Sequence, residues 1–564
     1  MILIMNLLLP NFRSGPIKVV GYADDIILLV AGKHPPTLVE LMNEALETVL
    51  DWGRTHGLVF NPSKTQAVRF SQCKKLTDWL RKLEMDGTEV KFQNEMKYLG
   101  ITLNRFLSWR PHVMERIKKA TKTMNLAYAA IGQKWGFNPD KAYWVYTAMV
   151  RPVATYGAIV WANNTSKTIR NEMHKLQRKA MLSMTSSMRS TPTAGMEVTL
   201  GLTPLDLHAE ELAVKTRLRT RHLLTDTWDG IGNTNKRGHR FMIDSTLNKI
   251  PSTNLPLDTT TRSMTWLTVD DEIETPDVTL YTDGSRLEGT SGAGWAAVHE
   301  DTVLAEESVY LGKTTSVFQA EVVAIERSVR WAIESLDRDT KVLIRSDSQA
   351  AINALKRTTT SSKVVMSCIR TLREAKENLR IAIRWIKGHA NHTGNELADM
   401  LAREGSCTTV ASVAPEIPVP LSTVVMDIKD HFQARWQRRW NAHTECRQTK
   451  IFFPRVERGK IKKLSKLERP ALNLLVQVCT GHGLVMHHIS QWTEQESPCD
   501  MCLEEDESTS HLYFECPALW QLRREIKSLD LGLEKSVLRF FSEERLTDLF
   551  NRRSRSCTSS VLFN

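Results

Sequence analysis

The chain has 564 residues, 25% of them charged and 41% hydrophobic, with 75 Lys plus Arg against 64 Asp plus Glu and a net charge of +11. That length allows about three to five domains, and the composition excludes a wholly disordered, collagen-like or mucin-like chain. The basic balance suits a polyanionic partner, nine cysteines are too sparse for a disulfide scaffold and point to a reducing, intracellular compartment, and the apolar start at residues 1–10 (MILIMNLLLP) is shorter than the ~20 residues that cross a bilayer and lacks the basic n-region of a secretory signal.

In chain order, residues 1–105 mix strand and helix signals. Two short apolar runs, KVVGY and IILLV, flank a polar turn, and two adjacent acids there suit a tight β-hairpin with Asp24 and Asp25 at its tip. Residues 38–52 have helical spacing, while 67–70 and 97–103 read as strands. Residues 106–224 are helical almost throughout, with basic residues between the apolar positions (ERIKKATKT, HKLQRKA, VKTRLRTRH). A Thr-, Asp-, Asn- and Pro-rich stretch at 225–276 reads as a linker. Residues 277–405 follow the order strand, strand, strand, helix, strand, helix, helix, strand, helix. A second linker at 406–421 precedes a helical, basic region at 422–532, and 533–564 reads as a loosely held tail.

Within 277–405, four acids fall at or near the ends of elements: Asp283 at the end of the first strand (VTLYTDGS), Glu321 in the first turns of an amphipathic helix (FQAEVVAIERSVRWAI), Asp347 where an apolar strand meets a helix (KVLIRSDSQAAINAL), and Asp399 on the last helix (TGNELADMLAREG). A carboxylate ending an apolar strand is costly to leave unpaired. Several that converge repel one another unless a hard divalent cation lies between them, and Mg²⁺ prefers such oxygen ligands. Singly, each has a plainer reading: Asp347 as a helix N-cap, Asp399 as the partner of Arg403 one helical turn on.

The run TDGS, AE, SDSQAAI and WIKGHANHTGNELAD resembles a type 1 RNase H domain, block for block, over 277–405. The resemblance implies a mixed five-stranded sheet with helices and a Mg²⁺-dependent endonuclease, using two ions, that cuts the RNA strand of RNA–DNA hybrids. It implies Asp283, Glu321, Asp347 and Asp399 as metal ligands, His389 in a mobile loop between Gly388 and Gly394 as the residue assisting proton transfer and product release, and Gly284 and Ser285 as contacts to the RNA strand.

The hairpin VVGYADDIILLV, with Tyr22, Asp24 and Asp25 between strands expected to be buried, is similar to the catalytic hairpin of reverse transcriptases. Lys64 in GLVFNPSKTQAV matches the lysine-bearing motif that follows, and KYLGITL the primer-grip hairpin. LSWRPHV (Trp109, His112), YGAIVW and LQRKAMLSMT resemble the thumb and connection of non-LTR, jockey-like retrotransposon enzymes. Such polymerases use a further carboxylate upstream of the hairpin; Asp24 is the first acid of this chain, so the nucleotide-addition site is expected to be incomplete within it.

Residues 499–516 (CDMCLEEDESTSHLYFEC) place Cys499, Cys502, His511 and Cys516 at a spacing that suits a closed tetrahedral Zn²⁺ site. The acids at 504–507 disfavour direct phosphate contact there and leave a structural or protein-contact role. The basic run RVERGKIKKLSKLERP could grip phosphate or be a solvated face. Trp436, Trp440 and Trp492 could stack on bases, with core packing the better reading.

The expected protein is a multidomain α/β chain: a partial reverse-transcriptase palm (1–105), a helical thumb and connection (106–224), an RNase H-like domain (277–405), and a helical C-terminal region with a CCHC zinc knuckle (422–532). Its expected partners are RNA–DNA hybrid, RNA and DNA, with no membrane. Two alternatives stand beside this: a non-enzymatic nucleic-acid-binding remnant, and a full reverse transcriptase whose upstream part is missing.

Overall fold

In a computed structural model, residues 8, 12, 16–70, 82–128, 137–220, 249–260, 263–264, 273–388, 392–407, 416–483, 485–493 and 496–557 are described. The chain divides into two compact units, Met1–Asp206 together with Glu445–Asn564, and Leu207–Thr444.

In the first unit, β1 (Ile17–Tyr22) and β2 (Asp25–Val30) form an antiparallel hairpin with Tyr22 opposite Asp25. Ala23, at φ 53°, and Asp24 make the two-residue turn. Helix α1 (Pro35–Thr55) starts on a proline and buries Val39, Leu46, Val49 and Trp52, a stripe at helical spacing. The sequence suggests buried strands, yet Val20 and Leu29 remain 47% and 44% exposed. The hairpin is a two-stranded sheet, so its outer edges and one face have no cover among the described residues.

A second hairpin, β3 (Glu95–Tyr98) and β4 (Ile101–Asn104), turns through Leu99 and Gly100, both at positive φ. It is fastened to α2 (Arg110–Tyr128) by His112, which is fully buried: Nδ1 accepts from the Thr102 amide at 3.2 Å and Nε2 lies 3.2 Å from the Tyr156 carbonyl. One donor and one acceptor require the neutral ring. Further along are α3 (Lys167–Thr185), capped by Ser166, and α4 (Thr193–Leu200).

The second unit holds a five-stranded sheet in the order β7-β6-β5-β8-β9, with β5 Val278–Leu287, β6 Thr290–His299, β7 Thr302–Gly312, β8 Lys341–Ser346 and β9 Arg380–Trp385. The first three strands are a β-meander; β8 and β9 join parallel to β5. Helix α5 (Val317–Ser335) begins with a capping box from Ser316 and Gln319. Ser348 caps α6 (Gln349–Leu355) and Ser362 caps α7 (Lys363–Lys376). One face of the sheet builds the core with α5 and α7, through Leu280, Ala293, Trp295, Val322, Ile325, Ile344 and Ile369.

The opposite face carries α8 (Thr393–Cys407). Strand β6 reads SGAGWAA, so Ala293 and Trp295 face the core while Gly292 and Gly294 alternate to the other side. A Cβ on Gly294 would lie 2.3 Å from the Ala402 nitrogen and 2.4 Å from the Ala398 oxygen, and one on Gly292 2.2 Å from the Ser406 nitrogen. Helix backbone therefore rests directly on strand backbone, which only glycine permits. Helix α9 (Leu421–Ala442) buries Trp436 and Trp440 to 2% and 1% exposure, so both are core residues rather than stacking platforms; the side chain of Trp492 lies outside the described residues.

Two expectations are corrected. Parts of the linkers are tied to the domain: Leu257 bridges to Val419, and the Asp258 carboxylate accepts from Ser362 Oγ at 2.9 Å, the Val364 amide at 3.1 Å and Gln319 Nε2 at 3.0 Å. Most of 225–276 (225–248, 261–262 and 265–272) and residues 408–415 lie outside the described residues. The C-terminal stretch is also no loose tail. Helices α11 (Leu533–Phe541) and α12 (Glu544–Cys557) bury Val537, Phe540, Phe541 and Leu546. The segment read as a loosely held tail carries an amphipathic periodicity that tertiary packing uses.

After the second unit the chain rejoins the first. Helix α10 (Arg469–Thr480) packs on α3 and α4, and its Arg469 and Asn473 donate to the Ser183 and Thr185 carbonyls, each at 3.0 Å. The last carbonyls of α3, which lack helical partners, are thereby satisfied by a distant segment. Among the described residues, no helix is long and apolar enough to cross a membrane.

Candidate active site

Asp283 lies in the middle of β5, not at its end, because the β5–β6 hairpin extends four residues beyond it, to Leu287. It pairs in register with Gly294, the glycine on which α8 rests beside Ala398. This stacking sets Asp399, the next residue of α8, over Asp283. Glu321 is in the second turn of α5, and Gly284 lets that helix approach: a Cβ there would lie 2.5 Å from the Glu321 nitrogen. Asp347 follows the last residue of β8; Trp385 Nε1 donates to its carbonyl at 3.0 Å, and a Cβ on Gly388 would lie 2.6 Å from its Oδ2.

Ligand oxygens of Asp283, Glu321 and Asp347 lie within 4.8 Å of one another. Asp399 lines the same cleft, of about 430 Å³, and is held by Arg403 at 2.8 Å. Burial, reinforced by Asp347 and Asp399, pushes the Asp283 carboxyl up to about 6 against the pull of the Gly284 amide. Burial, then Asp283 and Asp347, push Glu321 up to about 9. Glu321 Oε2 is buried with no hydrogen-bond partner. An enclosed, unsatisfied carboxylate oxygen facing two further acids fits a divalent cation and little else.

Gly284 and Ser285 line the cleft, with Leu287, Asn395 and Arg403. Asn395 was not singled out from sequence. It is 4% exposed with a buried, unpartnered Oδ1, and its position four residues before Asp399, on the same helical face, was the available signal. His389 lies outside the described residues. Its neighbour Gly394 is required sterically, since a Cβ there would meet the Tyr281 ring at 2.3 Å.

Tyr22, Asp24 and Asp25 are exposed at the β1–β2 hairpin, and Lys64 ends a separate short turn, Pro62–Lys64. Among the described residues, no group of three metal-ligating side chains includes them.

In the first unit, Cys499, Cys502, His511 and Cys516 bring their ligand atoms within 4.8 Å. Cys499 and Cys516 Sγ are 3.9 Å apart, and Cys502 Sγ is 3.3 Å from His511 Nε2. The other ring nitrogen, Nδ1, lies 3.1 Å from Glu505 Oε2, the arrangement that orients a metal-binding imidazole. Burial pushes the Cys499 thiol up to about 12 beside its neighbours. At Cys502 burial is outweighed by hydrogen bonds from the Glu504 amide and His511, which draw it to about 7. Glu507, fully buried, accepts from the Met486 amide at 3.1 Å and from Arg553 of α12 at 3.0 Å. Of the acidic run, Glu507 is thus an interior residue and Glu505 an exposed partner of His511, while Glu504 and Asp506 are exposed.

A five-stranded mixed sheet with acids converging from strand, helix and strand end has the architecture of nucleases that use divalent cations. The comparisons agree. Residues 275–407 match the RNase H family and residues 1–103 the reverse transcriptase (RNA-dependent DNA polymerase) family. The chain is 33% identical over 148 residues to a ribonuclease H of Jannaschia sp. (strain CCS1), covering 23% of this chain and 91% of that one. It is 26% identical over 200 residues to a putative 115 kDa protein in the type-1 retrotransposable element R1DM of Drosophila melanogaster (35% of this chain, 19% of that one). It is also 26% identical over 211 residues to a Pol polyprotein from the type-1 retrotransposable element R1 of Nasonia vitripennis (36% and 62%). The chain belongs to the RNase H family, and it joins that domain to a reverse-transcriptase segment in the manner of non-LTR retrotransposon Pol polyproteins. It spans less than two thirds of the length of these R1 relatives.

Proposed function

We propose that this chain hydrolyses the RNA strand of RNA–DNA hybrids at the Asp283, Glu321, Asp347 and Asp399 cleft. The observation that carries the reading is the convergence of Asp283, Glu321 and Asp347 within 4.8 Å, with one Glu321 oxygen unsatisfied. Two Mg²⁺ ions are the cofactor this donor set suits; when bound, they neutralise the acids and the phosphodiester and lower the pKa of water. Asp283 on β5 and Glu321 on α5, both oriented by the Gly284 amide, and Asp347 just after β8, pinned through Trp385, present their carboxylates from the sheet and the helix packed on it. Asp399 joins from the cleft wall when released from Arg403. Gly284 and Ser285 present backbone and hydroxyl groups to the RNA strand, where a 2′-hydroxyl distinguishes RNA from DNA. His389 is proposed as the proton-transfer and product-release residue.

Cys499, Cys502, His511 and Cys516 are proposed to hold a structural Zn²⁺, since three thiols and one oriented imidazole make a closed tetrahedral set. Tyr22, Asp24, Asp25 and Lys64 are proposed as polymerase elements that need a further carboxylate to add nucleotides. In a parent polyprotein of the R1 kind, hybrid cleavage would remove template RNA after first-strand synthesis. The test is hydrolysis of a labelled RNA–DNA hybrid in Mg²⁺ by the wild type and Asp283→Asn. Cleavage that disappears in the variant supports the assignment; a folded wild type inert in Mg²⁺ and Mn²⁺ overturns it.

A further inference from the structure

The RNase H match covers residues 275–407, yet chain from both sides of it reaches into the domain. The Asp258 amide donates to the Val419 carbonyl and the Val419 amide to the Pro256 carbonyl, each at 2.8 Å. The Thr260 amide donates to the Ser361 carbonyl, also at 2.8 Å. Val419 is buried, and Ile417 packs on the core. These two flanks meet at one side chain, Gln319, from which Asp258 and Pro418 are 61 and 99 residues distant in sequence.

Gln319 is 1% exposed and lies in the first turn of α5, two residues before Glu321. Its Nε2 donates to Asp258 Oδ2 at 3.0 Å and to the Pro418 carbonyl at 2.8 Å, while its Oε1 accepts from the Ser316 amide at 3.1 Å. Both partners of Nε2 only accept, so the amide has one orientation. The same Asp258 carboxylate accepts from Ser362 Oγ and the Val364 amide at the start of α7, where the helix dipole favours an anion. One side chain from outside the family match thereby joins the N-termini of α5 and α7. Each step along a helix turns by about 100°, so Gln319 and Glu321 project to nearly opposite sides of α5. On the Glu321 side, Gly284 brings strand backbone against the helix, since a Cβ there would lie 2.5 Å from the Glu321 nitrogen. On the Gln319 side, the flanks supply the opposing hold. The start of α5 is thus held between β5 and the flanks, and the direction in which Glu321 presents its buried, unsatisfied Oε2 depends on both.

We propose that Asp258 is a positioning residue for the carboxylate site, acting through Gln319 to hold Glu321 where it shares a divalent cation with Asp283 and Asp347. The effect on cleavage rests on the nuclease reading, so cation affinity is also read without substrate. Asp258→Asn keeps an oxygen for Ser362 and the Val364 amide but turns a donor toward Gln319 Nε2, which breaks the link and spares the cap of α7. In the full-length chain, this variant is expected to raise the Mg²⁺ concentration for half-maximal cleavage of a labelled RNA–DNA hybrid roughly 5- to 10-fold, the low end of what partners of metal ligands contribute. Saturating Mg²⁺ is expected to restore kcat to within about twofold, with KM for the hybrid unchanged, because Gly284 and Ser285 stay in place. Without substrate, the Mg²⁺ concentration that half-saturates the rise in Tm of the RNase H-containing unit is expected to shift by the same factor. Val365→Ala, which opens a cavity under α7 without touching the link, is expected to lower Tm by on the order of 5 °C and to leave the Mg²⁺ requirement where it was. If the wild type leaves the hybrid uncut, the nuclease reading falls and the thermal titration alone decides. A half-saturation unchanged in folded Asp258→Asn, or raised equally by Val365→Ala, overturns the proposal.

Discussion

Replacing Glu321 with glutamine should abolish cleavage and yet stabilise the metal-free protein. Glu321 is 6% exposed, and its carboxyl is pushed from 4.5 to about 9 by burial and then by Asp283 and Asp347. At pH 7 the unfolded chain has released this proton and the folded chain retains it. Folding therefore takes up a proton about 2.5 pH units above the group's ordinary value, which at 1.36 kcal/mol per unit costs roughly 3 kcal/mol. The penalty is absent below pH 4.5, where both states are protonated. It grows as pH rises from 4.5 to about 9, because the folded state binds the extra proton throughout that window. Glutamine has no such proton, and its amide can serve the buried position otherwise left to Oε2. Thermal melts of the full chain in EDTA should show Glu321→Gln nearly level with wild type at pH 5. At pH 7 the variant should lead by on the order of 5–10 °C in the transition of the RNase H-containing unit. Saturating Mg²⁺ should narrow or reverse the gap, since only the wild type gains the full binding free energy, about 2.7 kcal/mol at a hundred times Kd. A variant that melts at or below wild type across pH 6–8 in EDTA would refute the reasoning, for it would mean that the Glu321 carboxylate is compensated without a cation.

Four further outcomes are expected. Gly294→Ala drives a methyl into the α8 backbone at 2.3 Å and should cost about 1–3 kcal/mol in denaturant melts, with hybrid cleavage reduced because Asp399 is displaced; unchanged stability would show that α8 can shift freely. Glu505→Gln should weaken Zn²⁺ about 10- to 100-fold in chelator competition, whereas Glu504→Gln, at a carboxylate with no part in the His511 contact, should not. Arg553→Met leaves Glu507 buried and uncompensated and should cost about 3–5 kcal/mol, read by chemical unfolding; a neutral result would place the pair outside the cooperative fold. His112, whose pKa is lowered chiefly by burial, should destabilise the first unit as pH falls below 6.5, because the unfolded chain then binds a proton the folded ring refuses; His112→Asn should flatten that dependence between pH 7 and 5.

Much of the second unit was legible from residue order. The apolar runs and the acids at 283, 321, 347 and 399 follow from short-range rules of periodicity and charge burial. The sequence also marked the four zinc-type ligands, because their spacing is local. The roles of Gly292 and Gly294 were not legible, since nothing near them in the chain indicates that helix 393–407 will lie on their backbone. Asn395 and Arg403 were missed as cleft residues because a helix face acquires meaning only when its neighbour is known. The apolar hairpin at 17–30 misled in the other direction: strand propensity reports readiness for burial, and burial itself depends on what packs beside it. The C-terminal segment shows the same division. Its amphipathic pattern determined helices, but only the tertiary structure decided that Phe540 and Phe541 would be core, and that Arg553 would reach back to Glu507. Local sequence specifies backbone conformation and the chemistry available; which distant groups share one low-dielectric space is settled by packing, where a fraction of an ångström between two backbones decides which carboxylates meet.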